Sequence, residues 1–183
     1  LPDPRIKATA AAYQEQFNLL QNIAADVNDI HVSVVRMRNL QKQLTGIVER
    51  IENNDAFKSI VTLADSINDK IDAWETKLIQ TKSESNDDVI NFVNKLTANY
   101  IFLRGELDTN TPHVTLGHVQ RFKELNAEWL IYKAELNAIL EKDIKNRDGI
   151  IEQRNEQISQ LEEKIRRLEQ DLDMAMQSGD EAT

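Results

Sequence analysis

The scarcity of glycine and proline constrains this chain most. Five glycines and three prolines occur in 183 residues, against an average near 12% for the two together. Too few positions remain for the turns of a sandwich, a barrel or a nucleotide-binding α/β fold. The expectation is an all-α protein of long helices, of a size for one ordinary domain or two small ones. No apolar run approaches the roughly 18 residues of a membrane span, so membrane insertion is not expected.

Hydrophobic spacing divides the chain into four amphipathic segments of threes and fours, about 9–52, 56–81, 87–107 and 113–147. In the first, Tyr13, Phe17, Leu20, Ala24, Val27, Ile30, Val34, Met37, Leu44, Ile47 and Ile51 form a single stripe. Gly46 and the weak stretch from Arg38 to Gln43 permit a bend. Asn54 or Asp55 should cap the restart. The second places Phe57, Ile60, Ala64, Ile67, Ile71, Trp74 and Leu78 inward. The third does so with Val89, Phe92, Val93, Leu96, Tyr100, Leu103 and Leu107. Thr111 and Pro112 mark a start for the fourth, which carries Leu116, Val119, Phe122, Leu125, Trp129, Tyr132, Leu136, Ile139, Leu140 and Ile144. Trp129 and Tyr132 suit core packing better than a ligand shelf. Short turns imply an antiparallel up-and-down four-helix bundle over 1–147, with its C-terminus leaving at the N-terminal end.

Beyond Ile144 a broad apolar face narrows to a seam, so the last helix is expected to extend into a coiled coil over 148–176. A frayed, disordered tail over 177–183 should follow. Ile151, Ile158, Ile165 and Leu172 take heptad position a; Arg154, Leu161, Leu168 and Ala175 take d. Ile at a with Leu at d favours a parallel two-stranded coil, and Lys164 at g then faces Glu169 at e of the other strand. The self-association seam is thus Ile151, Ile158, Leu161, Ile165, Leu168 and Leu172, with Arg147-Asp148-Gly149 as the junction. Its partner would be a second copy or another helical protein. Packing back on the bundle, antiparallel pairing and a solitary charged helix are the alternatives.

The formal net charge of −9 repels phosphate backbones, and no basic cluster offsets it, so no nucleic-acid partner is expected. Lys164, Arg166 and Arg167 are interleaved with Glu162, Glu163, Glu169 and Asp171. Without cysteine there is no disulfide, thiolate nucleophile or zinc–thiolate site. His31, His113 and His118 form neither HExxH nor ExxH, which excludes a diiron bundle site. His113 and His118 read as surface or capping groups. Asp65, Asp69 and Asp72, and likewise Glu124 and Glu128, flank apolar stripes as solvated carboxylates. No phosphate-binding loop, nucleophile elbow or calcium loop occurs. Catalytic residues, cofactors and metals are therefore expected to be none. The leading function is a non-enzymatic structural or protein-interaction module, and the start at Leu1 suggests a processed product or a piece of something longer.

Asp3-Pro4-Arg5-Ile6-Lys7, Tyr13-Gln-Glu-Gln-Phe17-Asn-Leu19 and Val35-Arg-Met-Arg-Asn-Leu40-Gln-Lys-Gln-Leu44, with Leu103-Arg-Gly-Glu-Leu107, Phe122-Lys-Glu-Leu125, Tyr132-Lys-Ala-Glu-Leu136 and Asp143-Ile-Lys-Asn146, carry a resemblance. Over about residues 3–147 the chain resembles the C-terminal helical domain of exported bacterial sortilin-like (VPS10/BNR-repeat) β-propeller proteins. The resemblance implies an accessory domain beside an upstream propeller that holds any hydrolase active site, in a periplasmic, outer-envelope or secreted protein. It assigns no catalytic residue here, and the charged tail departs from it after about Arg147.

Overall fold

In the computed structural model, the described residues are 7–82, 84–85, 91–143, 155–156 and 158–170. All the regular structure among them is helical. The chain divides into two compact units, Leu1–Ile139 and Leu140–Thr183.

The first unit opens with α1, Ala10–Ile51, whose N-cap Thr9 accepts the amide of Ala12 at 3.1 Å. At about 1.5 Å per residue its 42 residues reach roughly 63 Å. Neither suspected weak point breaks it. A Cβ at Gly46 would meet nothing within 4 Å, so the helix passes through that position without a close approach. Arg38 and Gln41 are polar because they reach across to α2. A 3-10 turn, Asp55–Phe57, follows, with the Asn54 side chain as its cap, and leads into α2, Lys58–Leu78.

The third helix is shorter than its apolar spacing suggests. α3 is Leu96–Leu107, not 87–107. Phe92 is half-buried and Val93 exposed on non-helical backbone, while Val89 lies outside the described residues. Asn91, Val93 and Asn94 are weak helix formers, and the Val93 carbonyl accepts from Gln80 Nε2 at 3.0 Å instead. α4, Leu116–Ala138, likewise starts later than Pro112. Thr115 caps it by accepting the His118 amide at 3.2 Å, and His118 Nδ1 accepts the Thr115 amide at 3.2 Å, a reciprocal capping box. Leu116, expected inside, is exposed at this first turn. A π-helical turn, Ile139–Asp143, follows α4.

Side-chain pairings give the sense of each helix. Arg38 meets Glu75 and Gln41 meets Asp72, so α2 runs antiparallel to α1. Gln16 reaches the Leu107 carbonyl and Tyr100 reaches Asp26, so α3 also runs antiparallel to it. Asn126 meets Asp26 and Trp129 meets Asp29, which sets α4 parallel to α1. The order therefore differs from strict up-and-down alternation. The connection over 79–95 is long enough to let α3 continue in the direction of α2, whereas a turn of two to six residues would have reversed it. The N-terminal half of α1 is thus flanked by α3 and α4, and its C-terminal half by α2.

The core of this unit includes Ile23, Ile30, Met37, Ile67, Ile71, Trp74, Leu78, Leu96, Tyr100, Leu107, Leu125 and Trp129, all with under 2% of their surface exposed. The second unit contains α5, residues 158–170. The expected junction at Arg147-Asp148-Gly149 and the tail over 177–183 lie outside the described residues.

Candidate interaction surface

Two kinds of site compete for a functional reading: polar groups gathered inside the first unit, and apolar groups left on helix surfaces.

Inside the unit, α1 contributes Asp26 and Asp29. Asp26 Oδ2 accepts from Tyr100 Oη at 2.8 Å and Asn126 Nδ2 at 3.0 Å. Asp29 Oδ2 accepts from Trp129 Nε1 at 3.1 Å and Lys133 Nζ at 2.6 Å. Farther along, Glu75, 5% exposed, accepts from the Arg38 guanidinium, with Nε at 3.0 Å from Oε1. Trp74 Nε1 donates to the Tyr132 carbonyl at 2.7 Å, Tyr132 Oη donates to Glu128 at 2.9 Å, and Lys77 pairs with Glu135 at 2.6 Å. Each of these carboxylates already holds one or two donors, which is how buried polar groups are normally stabilised. The arrangement positions helices. The hydrogen bond to Glu75 holds the Arg38 guanidinium above its ordinary pKa. Burial raises the Tyr132 phenol, aided by Glu128.

The Tyr100 phenol is raised well above its usual value, first by burial and then by its bond to Asp26. The folded state thus favours the neutral phenol. Its stabilisation is complete below the unfolded pKa near 10 and is lost as pH rises beyond it, by at most about 1.4 kcal/mol per pH unit. Between about pH 10 and 11.5, Tyr100→Phe is expected to lose stability less steeply than the parent, although it is weaker at pH 7 by about 1–2 kcal/mol for the lost hydrogen bond. Urea unfolding across that range checks it; equal slopes would show that Tyr100 ionises as freely in the folded state as in the unfolded one.

Sequence reasoning passed over Asp26, Asp29, Arg38, Glu75 and Asn126 because it followed apolar spacing. A strict alternation of threes and fours would have found one of them, Asp26. Gln16, Leu19, Ile23, Asp26, Ile30, Ser33 and Met37 make one uninterrupted inner seam that includes three polar positions. Phe17 and Ala24, counted there as core, are exposed on an adjoining face. Beside them a groove of about 240 Å³ runs between α1 and α3, lined by Ile23, Ala24, Val27, Asn28, His31, Ile101 and Arg104.

Among the remaining candidates, Asp65, Asp69 and Asp72 are exposed, with Asp72 accepting from Gln41 at 2.7 Å. Glu124 accepts from Gln120 at 3.1 Å and from Arg121 at 3.4 Å. His31 and His113 are exposed. Among the described residues no group of three His, Asp or Glu is placed to hold a metal ion. Nor is any described helix long and apolar enough to cross a membrane.

On α5 the proposed seam residues Ile158, Leu161, Ile165 and Leu168 are between 49% and 60% exposed. Ile151 and Leu172 lie outside the described residues. Glu163, on the opposite face, is paired with both Arg166 and Arg167, the latter at 3.2 Å. Lys164, Glu162 and Glu169, which border the seam, are exposed and make no ion pair among the described residues. α5 thus pairs the charges of its outer face with one another and leaves an apolar row whose bordering charges are unpaired among the described residues.

No protein-family model matches the chain, and neither a curated protein nor a solved structure matches it.

Proposed function

We propose that this chain is a non-enzymatic structural and protein-interaction module that associates through its helices, with the seam of α5 as the association surface. The observation that carries this reading is the exposed row Ile158, Leu161, Ile165 and Leu168 on a helix whose outer charges are already paired. Apolar rows at heptad spacing are stabilised when a second helix removes them from water. The polar interior of the first unit supports the same reading, since its carboxylates are occupied in joining α1 to α2, α3 and α4.

The coiled coil is proposed as parallel and two-stranded, with a second copy as the partner. In a parallel pair, Lys164 of one strand lies beside Glu169 of the other. In an antiparallel pair the e positions Glu162 and Glu169 face one another, and like charges meet.

Absolute mass in solution across about 1 to 200 μM tests this, since about three heptads give a marginal zipper whose association depends on concentration. The whole chain is expected to move from monomer to dimer, and a chain ending at Asn146 to stay monomeric at low concentration. A whole chain that is monomeric throughout overturns self-association through α5.

A further inference from the structure

The groove between α1 and α3 is distinguished by a charge it lacks. The chain has 31 Asp and Glu in 183 residues, yet none of the described residues lining this groove is a carboxylate. Ile23, Ala24, Val27 and Ile101 make its apolar walls, and each polar side chain on them, Asn28, His31 and Arg104, can donate a hydrogen bond. Those three side chains make no hydrogen bond among the described residues. Arg104 has an anionic neighbour in Asp108, at 4.0 Å, a contact beyond hydrogen-bond range between side chains 59% and 63% exposed. Exposed pairs of that kind contribute little, so the guanidinium fork is open to another carboxylate. Since α3 runs antiparallel to α1, with Leu107 beside Gln16 and Tyr100 beside Asp26, Arg104 stands toward the end of the groove nearer Gln16 and His31 at the other. They are roughly 10 Å or more apart along α1, with the half-exposed Ile101 between them.

We propose that this groove receives an acidic helix of another protein, one that sets a single large aliphatic side chain between two carboxylates, the first for Arg104 and the second for Asn28 and His31. The inference rests on the reading of the chain as a protein-interaction module and names a class of partner for it, at a surface other than α5. Size selects a side chain over a free ligand. A volume of about 240 Å³ is below the roughly 300–1,000 Å³ of sites that enclose small molecules, and a groove open to water leaves most of the contact to the rest of the partner.

Charge selects the sign. A guanidinium, an imidazole and a carboxamide around apolar walls, with no carboxylate among them, complement an anion and give a basic partner nothing to pair with. Spacing selects the helix, because carboxylates seven residues apart lie about 10.5 Å apart on one face, and an aliphatic residue three positions after the first falls between them. The net charge of −9 opposes an acidic partner at a distance. That field is screened beyond about 8 Å at physiological ionic strength, whereas direct contact with the guanidinium is not.

The probe is an acetylated and amidated alanine-based helical peptide containing Glu-Ala-Ala-Leu-Ala-Ala-Ala-Glu, titrated to about 2 mM into the full-length chain labelled with nitrogen-15 and followed by its amide signals. The amides of Ala24, Val27, Asn28, Ile101 and Arg104 are expected to shift, and Arg104→Glu to weaken binding at least about tenfold. The same variant should bind a peptide with lysine in place of both glutamates more tightly than the parent does, a reversal that general damage to the fold does not produce. No shift at the groove up to that concentration overturns the proposal. Equal binding of peptides carrying glutamate, glutamine or lysine also overturns it, since charge then plays no part, and so do equal shifts from isocaproate at the same concentration, which make the groove a site for a free acid. The full-length chain carrying Leu161→Glu and Leu168→Glu should bind the peptide as the parent does; binding lost there belongs to α5 and overturns the assignment to the groove. Failure of the α5 reading shows separately, as a mass of the unmodified chain that does not change with concentration.

Discussion

Trp74→Ala is expected to destabilise the protein by about 3–5 kcal/mol, the range for emptying a buried tryptophan site. Trp74 is 1% exposed near the C-terminal end of α2, and its Nε1 donates to the Tyr132 carbonyl of α4 at 2.7 Å. α2 joins α4 there through that bond, the Lys77–Glu135 pair at 2.6 Å, and the Lys77 ammonium 5.5 Å from the centre of the Tyr132 ring. The two ion-pair partners are each 40% exposed, so they add at most about 1 kcal/mol between them. The indole therefore supplies most of the attachment. Trp74→Phe, which keeps most of the volume and loses the hydrogen bond, should cost about 1–2 kcal/mol. Urea unfolding separates the two, with the midpoint falling further for alanine at an unchanged slope. A loss under about 1 kcal/mol for alanine would mean that α2 is held to the rest of the unit through α1 alone.

How far the fold was legible depends on which residues carried it. The length of α1 was legible because forty residues without proline, periodic in apolar groups and bounded by Thr9 and Asn53-Asn54, have little else to form. From Ile30 to Leu44 the residues of the stripe, Ile30, Val34, Met37 and Leu44, also mark the buried face. Upstream they do not. The inner seam there contains Gln16 and the half-buried Asp26, while Phe17 and Ala24 stand outside, so counting apolar residues turned the helix toward the wrong face. A hydrophobic pattern reports burial only where the core is apolar; where two or more donors converge on one carboxylate, the core is polar and the pattern is silent. Glu75 is the sharpest case, since nothing in its neighbourhood distinguishes it from the exposed Asp72 until Arg38 is found opposite.

The direction of α3 was not legible for a different reason. Connections of a few residues enforce reversal, and the short gap expected between 81 and 87 looked like one. Because α3 starts only at Leu96, the link from α2 spans 79–95 and no longer dictates a hairpin. What fixes α3 antiparallel to α1 is tertiary: Gln16 on the Leu107 carbonyl at 2.5 Å and on the Thr109 carbonyl at 3.0 Å at one end, Asp26 on Tyr100 at the other. These partners lie roughly seventy to ninety residues apart in sequence, and no local propensity reports them. α5 is the converse. Its exposed apolar row Ile158, Leu161, Ile165 and Leu168 follows from local spacing alone and needs no distant residue to define it.

Leu161→Glu with Leu168→Glu is expected to weaken self-association of the whole chain by at least about a thousandfold, near 4 kcal/mol, because a dimer would have to bury four carboxylates in place of four leucine side chains. The same double substitution should leave the unfolding midpoint of the first unit unchanged within about 0.5 kcal/mol, since both leucines are 60% exposed on α5. Those two readouts divide the possibilities. Lost assembly with unchanged unfolding assigns assembly to the seam; unchanged assembly removes α5 from it. Orientation is then fixed by charge. Lys164→Glu alone should weaken a parallel dimer a few-fold by setting two carboxylates together, and adding Glu169→Lys should restore it, since the pair is remade with its ends exchanged. In an antiparallel dimer the two positions lie on opposite flanks, e against e and g against g, so Glu169→Lys relieves its own flank whether or not Lys164 has been changed. The effects of the two substitutions would then simply add. A coupling between them that falls as salt is raised is therefore the signature of parallel strands.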